Sequence, residues 1–503
     1  MSDNRRFYIT TAIPYVNGDP HLGHALELVQ ADVLARHRRL RGDDVRFLTG
    51  TDDNALKNVD AALAAGVPVA EFVAEKARRF ADLAEPLQLS NDDFIRTSSD
   101  PRHRPGVERL WRACAEAGDL YRRDYEGLYC AGCEAFVDPV DLHNGLCREH
   151  GEAPERIAER NWFFRLTRYQ DALRDLIESG RLRIEPEHRR NEVMAFINSG
   201  LSDFSVSRAQ ERARGWGIPV PGDPGQVIYV WFDALANYVT AVESGVDGDL
   251  YRRWWRGSDE RLHVIGKGIV RFHAVYWPAI LLSAGQPLPT TIFVHDYLTV
   301  EGRKLAKSLG TAIDPWQVIQ RYGSDALRWW FVRDVPRAGD ADFRDELVAA
   351  RANELADGLG NLINRTIALV SRYAPDGIEA TSTRSAEATS LRTLCDDLPS
   401  TIDEALDAFD LRRAATALWN VVTEANRFVS ATQPWAVAKA ARAGDDEGAE
   451  RLAEVLAVLV RACRVITGEL RPFLPAATER IDVALAELDA ERGRALFSKA
   501  EAA

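Results

Sequence analysis

The first fifty residues pass from a short apolar run through a polar loop into a long amphipathic stretch. Residues 7–13 (FYITTAI) are apolar or β-branched and predict a buried strand. The Pro-, Gly- and Asn-containing segment 14–20 predicts a loop, residues 21–41 a helix, and residues 45–49 a second strand. Strand, loop, helix and strand in this order predict the opening unit of a parallel α/β sheet.

The pattern changes several times further along the chain. Residues 53–113 look helical, with interruptions near Pro68 and Pro101. Residues 116–225 hold short strand-like runs and Pro/Gly-rich stretches, which indicate an insertion rather than a continuation of the sheet. Strand signals return at residues 227–231, 263–265 and 291–294. From about residue 347 onward the pattern is nearly all helical, which predicts a separate all-α domain.

Composition narrows the class of protein. A length of 503 residues suggests about three domains. No run approaches about 18 apolar residues, and the N-terminus lacks the apolar core of a signal peptide, so we expect no membrane partner. The net charge of −13 excludes a bulk basic footprint for nucleic acid, although a local positive face is enough to bind RNA.

A cluster of cysteines lies within the predicted insertion. Cys130-x2-Cys133 is followed by Cys147-x2-His150, and three thiolates with one imidazole are typical of a structural zinc site. We therefore predict one Zn²⁺ per chain. The remaining cysteines are scattered on helix-like stretches, which argues against a disulfide framework and for a reducing, cytoplasmic location: Cys114, Cys395 and Cys463.

The segment His21-Leu22-Gly23-His24 follows the first strand and loop and opens a predicted helix. A helix N-terminus offers free N–H groups and a positive dipole end to a phosphate. Gly23 would let a ligand approach the backbone, and the two imidazoles can donate hydrogen bonds to phosphate oxygens. The alternative is two surface histidines on a first helical turn.

A second segment, Lys304-Leu305-Ala306-Lys307-Ser308, follows a strand signal and Gly302. Two lysines three residues apart in such a loop suit a triphosphate. On these residues alone, a solvated basic loop explains the pattern better.

Together the two segments resemble the HIGH and KMSKS motifs of class I aminoacyl-tRNA synthetases, and the chain resembles the methionyl-tRNA synthetase family over nearly its whole length. The matching segments are AIPYVNG (12–18), NEV (191–193), SVSR (205–208), GIPVP (217–221), YVWFDAL (229–235), IGK (265–267), FH (272–273), YWPA (276–279) and YGSDALR (322–328). The resemblance also agrees with the zinc prediction.

The resemblance implies a methionine–tRNA ligase that takes ATP with Mg²⁺, an amino acid and tRNA. The ATP site would comprise His21, Gly23, His24, Glu27, Lys304, Lys307 and Ser308. The amino-acid pocket would comprise Ile13, Tyr15, Asp52, Trp231, Ala234, Leu235, Tyr238, Ile269, His273 and Trp277, with Asp52 on the substrate ammonium. Arg208 would neutralise charge on the α-phosphate. The alternatives are core aromatics and an ordinary surface ion pair for Arg208.

The helical domain carries residues that resemble the family's anticodon-reading positions: Asn361, Arg365 and Trp435. Asn361 and Arg365 are four residues apart and share a helix face, and Trp435 offers a surface on which a base can stack. On spacing alone, helix packing explains these residues equally well.

The predicted architecture is a Rossmann-like parallel-sheet α/β domain with a zinc-knuckle insertion, followed by an all-α anticodon-binding-type domain. The predicted segments are 1–115 and 226–310 for the two halves of the catalytic domain, 116–225 for the insertion, 311–355 for a linker that resembles a stem-contact region, and 356–503 for the helical domain. We expect a monomer that acts on initiator and elongator methionine tRNA.

Three departures from the family lie around the predicted substrate site. The family usually has Thr-Asp-Glu-His-Gly where this chain has residues 51–55 (TDDNA), so Asp52 is kept but Asn54 and Ala55 replace the His-Gly pair. The family usually has an acid after Gly-Lys, where this chain has Gly268. The KMSKS motif has lost a hydroxyl group at Ala306. These departures leave two alternatives open. One is a paralogue that activates another amino acid and forms an ester or amide on a small molecule, and the other is an inactive RNA-binding relative.

Overall fold

The computed structural model describes residues 4–130, 135–137, 142–148, 151–305, 310–375, 377–378, 384–488 and 490–500. Contacts divide the chain into two compact units. The first comprises Met1–Glu85 and Leu89–Tyr297, and the second Pro86–Gln88 and Leu298–Ala503. No described helix has both the length and the apolar composition needed to cross a membrane.

The first unit is an α/β structure. Its strands are β1 (Arg6–Thr11), β2 (Asp44–Thr51), β3 (Asp93–Arg96), β4 (Leu120–Cys130), β5 (Ala135–Val137), β6 (Leu142–His143), β7 (Leu146–Cys147), β8 (Glu155–Phe164), β9 (Arg183–Glu185), β10 (Phe204–Ser205), β11 (Ser207–Ala209), β12 (Pro219–Val220), β13 (Asp223–Ile228), β14 (Glu260–Gly266) and β15 (Thr291–His295). Its α-helices are α1 (Leu22–Leu40), α2 (Leu56–Ala65), α3 (Val69–Ala81), α4 (His103–Glu116), α5 (Gln170–Glu178), α6 (Glu187–Asn198), α7 (Val230–Leu235), α8 (Asn237–Thr240) and α9 (Trp277–Ser283).

A six-stranded parallel sheet in the order β3-β2-β1-β14-β15-β9 forms the centre of this unit. β1 and β15 are buried along almost their whole length, as is typical of parallel strands that are covered on both faces. The predicted opening unit of strand, helix and strand is therefore confirmed. The sheet also brings the carboxyl ends of β1, β2, β14 and β15 to one edge, where ligands bind in open α/β sheets.

Three parts of the sequence pattern were misread. β3 lies within a segment that the pattern predicted to be helical, because four residues with only one buried side chain carry too weak an alternation. β9 lies within the predicted insertion but pairs with β15 in the central sheet. The strand signal at 227–231 ends at Ile228, and Val230 begins helix α7 instead.

The rest of the predicted insertion forms antiparallel structure. One sheet has the order β10-β8-β4-β5, a second has β11-β13-β12, and β6 pairs with β7. β4 and β8 run alongside each other from Leu120 opposite Phe164 to Tyr129 opposite Glu155. Cys130 ends β4 and Cys147 ends β7.

The second unit is mostly helical. Its strands are β16 (Leu298–Val300), β17 (Arg303–Lys304) and β18 (Ala341–Asp342). Its α-helices are α10 (Pro315–Tyr322), α11 (Ser324–Arg333), α12 (Asp345–Glu354), α13 (Asn361–Tyr373), α14 (Ala386–Asp407), α15 (Leu411–Thr432), α16 (Pro434–Arg442), α17 (Asp446–Leu470), α18 (Pro475–Glu487) and α19 (Ala490–Arg494). The helical C-terminal part is thus confirmed.

Buried helix faces and one buried cation hold this unit together. α14, α15 and α17 pack against one another through apolar residues spaced three and four apart, such as Leu418, Val422 and Ala425 on α15. Arg328 on α11 is fully buried and donates hydrogen bonds to the carbonyl oxygens of Leu87, Pro472 and Phe473. Three carbonyl acceptors compensate for burying its charge.

Candidate active site

The two histidines of the HLGH segment cap helix α1. The Gly23 N–H donates to His21 Nδ1 at 3.1 Å, and the His21 N–H donates to His24 Nδ1 at 3.1 Å. An Nδ1 that accepts a hydrogen bond carries no proton, so in each ring the proton is on Nε2. The rings stack with centroids 3.8 Å apart. Both imidazoles are thereby oriented as neutral Nε2–H donors at the start of a helix.

Gly23 is required by the His21 ring. A Cβ at this position would lie 2.9 Å from His21 Cε1, which is closer than real Cβ contacts. The sequence predicted a glycine here because a ligand would approach the backbone closely. The capping motif itself supplies a second reason for a glycine at this position.

Glu27, one turn into α1, forms an ion pair with His295 at the end of β15. His295 Nε2 donates to Glu27 Oε2 at 2.9 Å, and its Nδ1 donates to the Asp296 carbonyl oxygen at 2.9 Å. Burial alone would lower the pKa of His295, but the Glu27 carboxylate and the Asp296 carbonyl outweigh burial and raise it. A cation is thus held beside the predicted ATP-site carboxylate.

Tyr15 and Asp52 come together at the carboxyl edge of the sheet. They form an isolated parallel β-bridge, in which the Asp52 N–H donates to the Pro14 carbonyl oxygen at 2.9 Å. Tyr15 also packs edge-on against Trp231, with ring centroids 6.2 Å apart. The structure thus places three of the predicted amino-acid-binding residues side by side.

Aromatic rings continue from Trp231 into the neighbouring helix. Trp231 stacks on Phe272 with centroids 3.8 Å apart and an interplanar angle of 8°. The other predicted pocket residues belong to the same apolar cluster, either buried or packed against it: Leu235, Tyr238, Ile269 and Trp277. Ala234 is also buried, and Ile13 is partly buried.

Two buried histidines lie within this cluster, and both are neutral. His273 Nδ1 donates to the Ile269 carbonyl oxygen at 3.0 Å, so its Nε2 accepts from the Tyr238 hydroxyl at 2.7 Å. Burial lowers the pKa of His273 to about 4. Burial also lowers the pKa of His263, with a smaller contribution from His273 and Arg261.

The protonation of His263 is set by its partners. The Trp277 Nε1–H donates to His263 Nε2 at 3.3 Å, so His263 Nδ1 donates to Thr10 Oγ1 at 2.7 Å. Tyr238 stacks on His263 with centroids 4.1 Å apart. The two histidines, Tyr238 and Trp277 therefore form a polar network without net charge inside an apolar cluster.

Asn54 connects the Asp52 loop to helix α7. Its Nδ2 donates to Asp233 Oδ2 at 2.7 Å, and its backbone N–H donates to Asp52 Oδ1 at 3.1 Å. The other carboxylate oxygen of Asp233 lies 2.5 Å from Nε2 of the fully buried His103, whose Nδ1 lies 2.7 Å from Thr240 Oγ1. Asp233 sits between the pocket residues Trp231 and Ala234 in the sequence, so this network couples the two sides of the site.

The other two described departures from the family also have local causes. Ala55 is buried and packs with Tyr229 and Val230. A Cβ at position 268 would lie 2.1 Å from the Tyr297 hydroxyl oxygen, so Tyr297 occupies the space that a side chain there would need.

Arg208 lies on β11 and is only 7% exposed. Its Nη1 donates to Ser205 Oγ at 2.9 Å and to the Ser207 carbonyl oxygen at 2.8 Å. Its guanidinium lies 4.2 Å from the centroid of the Tyr229 ring. These contacts differ from those of a surface ion pair, and a role at the α-phosphate stays a prediction.

Several predicted site residues fall outside the described residues: Lys307, Ser308, Cys133, His150 and the substituted Ala306. Lys304 is described at its backbone, as the last residue of β17. Cys130 and Cys147 are buried. In the described part of the chain, no three His, Cys, Asp or Glu side chains are grouped so that they could hold a metal ion.

The predicted anticodon residues lie on two helices that are in contact, α13 and α16. Asn361 is exposed and Arg365 partly exposed on the first two turns of α13. Trp435, at the start of α16, is 47% exposed. An indole this exposed is not a core residue, so the packing alternative for Trp435 is wrong.

Sequence reasoning missed His103, His263, His295 and Asp233. A single histidine in a buried strand or helix has no local signature, and its partner is distant along the chain. The available signal was His263 and His295 themselves, because His263 directly precedes the apolar residues Val264 and Ile265 of β14, and His295 ends the buried strand β15.

Comparisons with known proteins agree with this geometry. A family model described as "tRNA synthetases class I (M)" matches residues 7–139 and 130–367, and "Anticodon binding domain of methionyl tRNA ligase" matches residues 375–499. A methionine–tRNA ligase of Rhizobium meliloti is 40% identical over 94% of this chain and 90% of its own length. One of Brucella suis is 39% identical over 95% and 91%.

A solved structure is similar throughout the chain. It is a Mycobacterium tuberculosis methionyl-tRNA synthetase in complex with methionyl-adenylate. Its TM-score is 0.90 at 37% identity, over 95% of this chain and 93% of that one.

Proposed function

The chain belongs to the methionyl-tRNA synthetase family of class I aminoacyl-tRNA synthetases, and on that premise we propose that it is a methionine–tRNA ligase. It activates methionine with ATP as an adenylate and transfers the methionyl group to the 3′ end of its tRNA. The observation that carries the choice of amino acid is the neutral network of Tyr238, His273, His263 and Trp277 within an aromatic cluster. Such surroundings suit an uncharged, polarizable thioether side chain.

Activation needs no nucleophile from the protein. The methionine carboxylate oxygen attacks the α-phosphorus of ATP, the bond to the β-phosphate oxygen breaks, and pyrophosphate leaves. The Nε2–H groups of His21 and His24 donate to phosphate oxygens, on which negative charge grows. Asp52 binds the substrate ammonium, and Mg²⁺ bound with ATP supplies further neutralisation of phosphate charge.

The remaining predicted ATP-site residues position the nucleotide. Glu27 lies beside the His295 cation, and Gly23 forms the capping turn. By resemblance to the family, Lys304, Lys307 and Ser308 would bind the phosphates, and Arg208 would act on the α-phosphate. In the second step, a terminal ribose hydroxyl of the tRNA attacks the adenylate carbonyl and AMP leaves, so positioning again accounts for most of the rate.

The lysine assignment has its own kinetic test. Lys307→Ala should lower kcat for adenylate formation far more than it raises the KM for ATP, because its ammonium meets charge that develops in the transition state. A lost contact of this kind typically costs about 2.7–4 kcal/mol. An unchanged kcat with a raised KM would assign Lys307 to ground-state binding instead.

The tRNA partner is recognised at its anticodon by Asn361, Arg365 and Trp435. Hydrogen bonds from the amide and guanidinium groups read base edges, and the exposed indole provides a stacking surface. Both initiator and elongator methionine tRNA share that anticodon, so we propose that both are substrates. We also propose that the enzyme is a monomer, because one chain suffices for both steps.

A structural zinc ion held by Cys130, Cys133, Cys147 and His150 belongs to this proposal. Cys130 and Cys147 are buried at the ends of β4 and β7, as thiolate ligands of a closed site would be. Bound by these residues, a zinc ion would hold the insertion together and would take no part in the chemistry. Metal analysis of the reduced protein should find about one zinc per chain, and Cys130→Ser/Cys133→Ser should lose it. A zinc content near zero, or full retention in that variant, would contradict the assignment.

Amino-acid-dependent pyrophosphate exchange, measured across a panel of amino acids, tests the activity. Exchange with methionine, followed by charging of methionine tRNA, is expected. Exchange with another amino acid would favour the small-molecule paralogue, and no exchange with any of them would favour an inactive relative. The matches to both the catalytic and the anticodon-binding family models argue against those alternatives.

A further inference from the structure

A two-residue hairpin in the second unit carries Lys304. Strands β16 and β17 are antiparallel, and Thr299 lies opposite Lys304 in their register. Glu301 and Gly302 form the turn between the strands, with φ of 52° and 72°. A type I′ turn requires positive φ at both of its central residues and twists in the same sense as the strands that it joins. The backbone of Lys304 is therefore placed by this hairpin.

Glu301 is an unfavourable residue for such a turn. Glycine, asparagine and aspartate adopt positive φ most readily, whereas a longer side chain adds strain to the backbone. The Glu301 carboxylate forms an ion pair with Arg303 at 3.2 Å, but both side chains are largely exposed and such pairs contribute little. A strained conformation persists where surrounding contacts fix it. Contacts from outside the hairpin are therefore needed to hold the turn.

Asp342 supplies these contacts from β18, which follows two helices later in the chain. Its Oδ1 accepts from the Gly302 N–H at 3.0 Å and from the Thr299 hydroxyl at 2.9 Å. These hydrogen bonds, that of the Gly302 N–H above all, lower the pKa of Asp342, so its carboxylate is ionised at neutral pH. Hydrogen bonds to an ionised acceptor are stronger than those between neutral groups. One carboxylate oxygen thus ties the turn to the strand that precedes it.

Backbone pairing fixes Asp342 in turn. β18 runs parallel to β16 with Thr299 opposite Asp342, and the Phe343 N–H donates to the Thr299 carbonyl oxygen at 2.8 Å. At the other end of β17, the Leu305 N–H donates to the Leu298 carbonyl oxygen at 3.3 Å. The Phe343 and Leu305 side chains are both buried. β17 is thus held at both of its ends.

We propose that Asp342 is a positioning residue for adenylate formation, because it fixes the hairpin that carries Lys304. This rests on the proposed function, in which Lys304 binds the phosphates of ATP. A lysine ammonium is a point charge on a flexible stem, so its placement depends on a backbone that does not move. A displacement of about 1 Å in a catalytic group can cost about a hundredfold in rate. Asp342 thus acts on the rate through Lys304, without itself binding ATP.

Two substitutions at this position separate the charge from the hydrogen bonds. Asp342→Ala removes the acceptor of both bonds. Asp342→Asn removes the charge but keeps a carbonyl oxygen that can accept from the same two donors. Glu346→Ala, at an exposed position on α12, removes a carboxylate nearby and is the matched control. The measurements are melting temperature, kcat and the KM values for ATP and methionine in methionine-dependent pyrophosphate exchange.

In Asp342→Ala, kcat should fall roughly ten- to a hundredfold, while both KM values change by less than about threefold. Asp342→Asn should recover most of this loss, and Glu346→Ala should match the unmutated protein. An unchanged kcat in Asp342→Ala, measured well below its melting temperature, would overturn the inference and leave Asp342 a purely structural residue. An Asp342→Asn variant as slow as Asp342→Ala would also overturn it, because the charge rather than the hydrogen bonds would then matter.

A double-mutant cycle with Lys304→Ala tests whether Asp342 acts through that lysine. In the Lys304→Ala background, Asp342→Ala should lower kcat little further, because the group that it positions is already absent. Losses that multiply would overturn the inference, since Asp342 would then act independently of Lys304. An unchanged kcat in Lys304→Ala alone would overturn the inference together with the role of Lys304, while methionine activation itself would stand. No exchange with any amino acid by the unmutated protein would overturn the proposed function and the inference together.

Thr299→Val provides the same test if Asp342→Ala does not fold. Valine has nearly the shape of threonine but lacks the hydroxyl group, so Asp342 loses one of its two donors. The kcat for exchange should fall roughly fivefold or more with little change in the KM for ATP. That loss should disappear in the Lys304→Ala background. An unchanged kcat in Thr299→Val, or an equal loss in both backgrounds, would overturn the inference.

Discussion

The pocket in the first unit and a row of exposed or partly exposed residues in the second treat charge in opposite ways. This row, the basic strip, comprises Arg365 and Arg372 on α13 and Trp435, Lys439 and Arg442 on α16. Around the pocket, His263 and His273 are buried, neutral and hydrogen-bonded to named partners. On the strip, Arg372 and Arg442 are exposed and share an aromatic ring, with no carboxylate beside them among the described residues.

The difference reflects what each region binds. An uncharged side chain is selected by shape and by the cost of leaving buried polar groups without partners, so the pocket must be rigid and internally satisfied. A polyanion is attracted through solvent by charges that remain available, so the strip must not be neutralised internally. Substitutions in the pocket should therefore affect stability and catalysis together, whereas substitutions on the strip should affect only the affinity for tRNA.

The largest effect is expected from Asp233→Ala. Removing this carboxylate takes away one hydrogen-bond partner from His103 and one from Asn54 within a buried network. We expect the free energy of unfolding to fall by about 3–5 kcal/mol, with loss of pyrophosphate exchange. Denaturant titration measures this, and Asp175→Ala, an exposed position on α5, is the control with an expected change within about 0.5 kcal/mol. Equal stability of the two variants would mean that the network contributes nothing.

The second effect is a loss of stability in acid that depends on His273. Its pKa in the folded protein, about 4, is below the ordinary value of about 6.5. The unfolded chain therefore takes up a proton between these two pH values while the folded protein does not, so stability falls as pH decreases. The contribution reaches roughly 3 kcal/mol near pH 4.

Urea unfolding at pH 7 and pH 5 measures this dependence. His273→Gln should be less stable at pH 7 but should lose less on acidification than the unmutated protein. Identical losses in the two proteins would show that His273 is not held neutral by the fold.

Whether the sequence predicted a feature depended on how far apart along the chain its interacting residues lie. β1, α1 and β2 were predicted because apolar runs and loop residues are local signals, and the HLGH segment was correctly placed at a helix start. β9 was not expected in the central sheet, since its pairing with β15 joins residues about a hundred positions apart. The polar networks of the pocket were missed for the same reason.

The two ends of the basic strip also differ in this respect. Spacing left Trp435 equally consistent with core packing and base stacking, and its exposure decides against core packing. The sequence does not indicate that Arg372 and Arg442 share the Tyr373 ring, because the two arginines come together only through the contact of α13 with α16. The roles of the zinc-binding and lysine-loop residues outside the described ranges stay predictions.

A smaller effect is expected from Asn54→Ala, which tests how the pocket is aligned. The substitution removes one donor from Asp233 and loosens the Asp52 loop from α7. A hydrogen bond to a charged group contributes about 1.5–3 kcal/mol, so the KM for methionine in pyrophosphate exchange should rise roughly tenfold or more. Asn54→Asp should be worse, because it puts a second carboxylate beside Asp233. An unchanged KM in both variants would limit Asn54 to a structural role.

Ala55→Gly should have a still smaller effect. The Ala55 methyl group packs with Tyr229 and Val230, and its loss should cost about 1 kcal/mol of stability. Discrimination between methionine and leucine in pyrophosphate exchange should weaken slightly, because the wall behind Tyr15 and Trp231 becomes less tightly packed. A variant that is as stable and selective as the unmutated protein would show that this departure from the family is neutral.

The division of roles between the pocket and the basic strip is tested most directly by a substitution on the strip that should leave the pocket unaffected. In one preparation of Trp435→Ala, methionine-dependent pyrophosphate exchange, tRNA charging and melting temperature are measured together. Because Trp435 is 47% exposed, exchange and melting temperature should equal those of the unmutated protein. Charging should weaken through a higher KM for tRNA, by the roughly 1–3 kcal/mol that base stacking contributes. Parallel loss of exchange, charging and melting temperature would contradict this division, as would charging that remains intact.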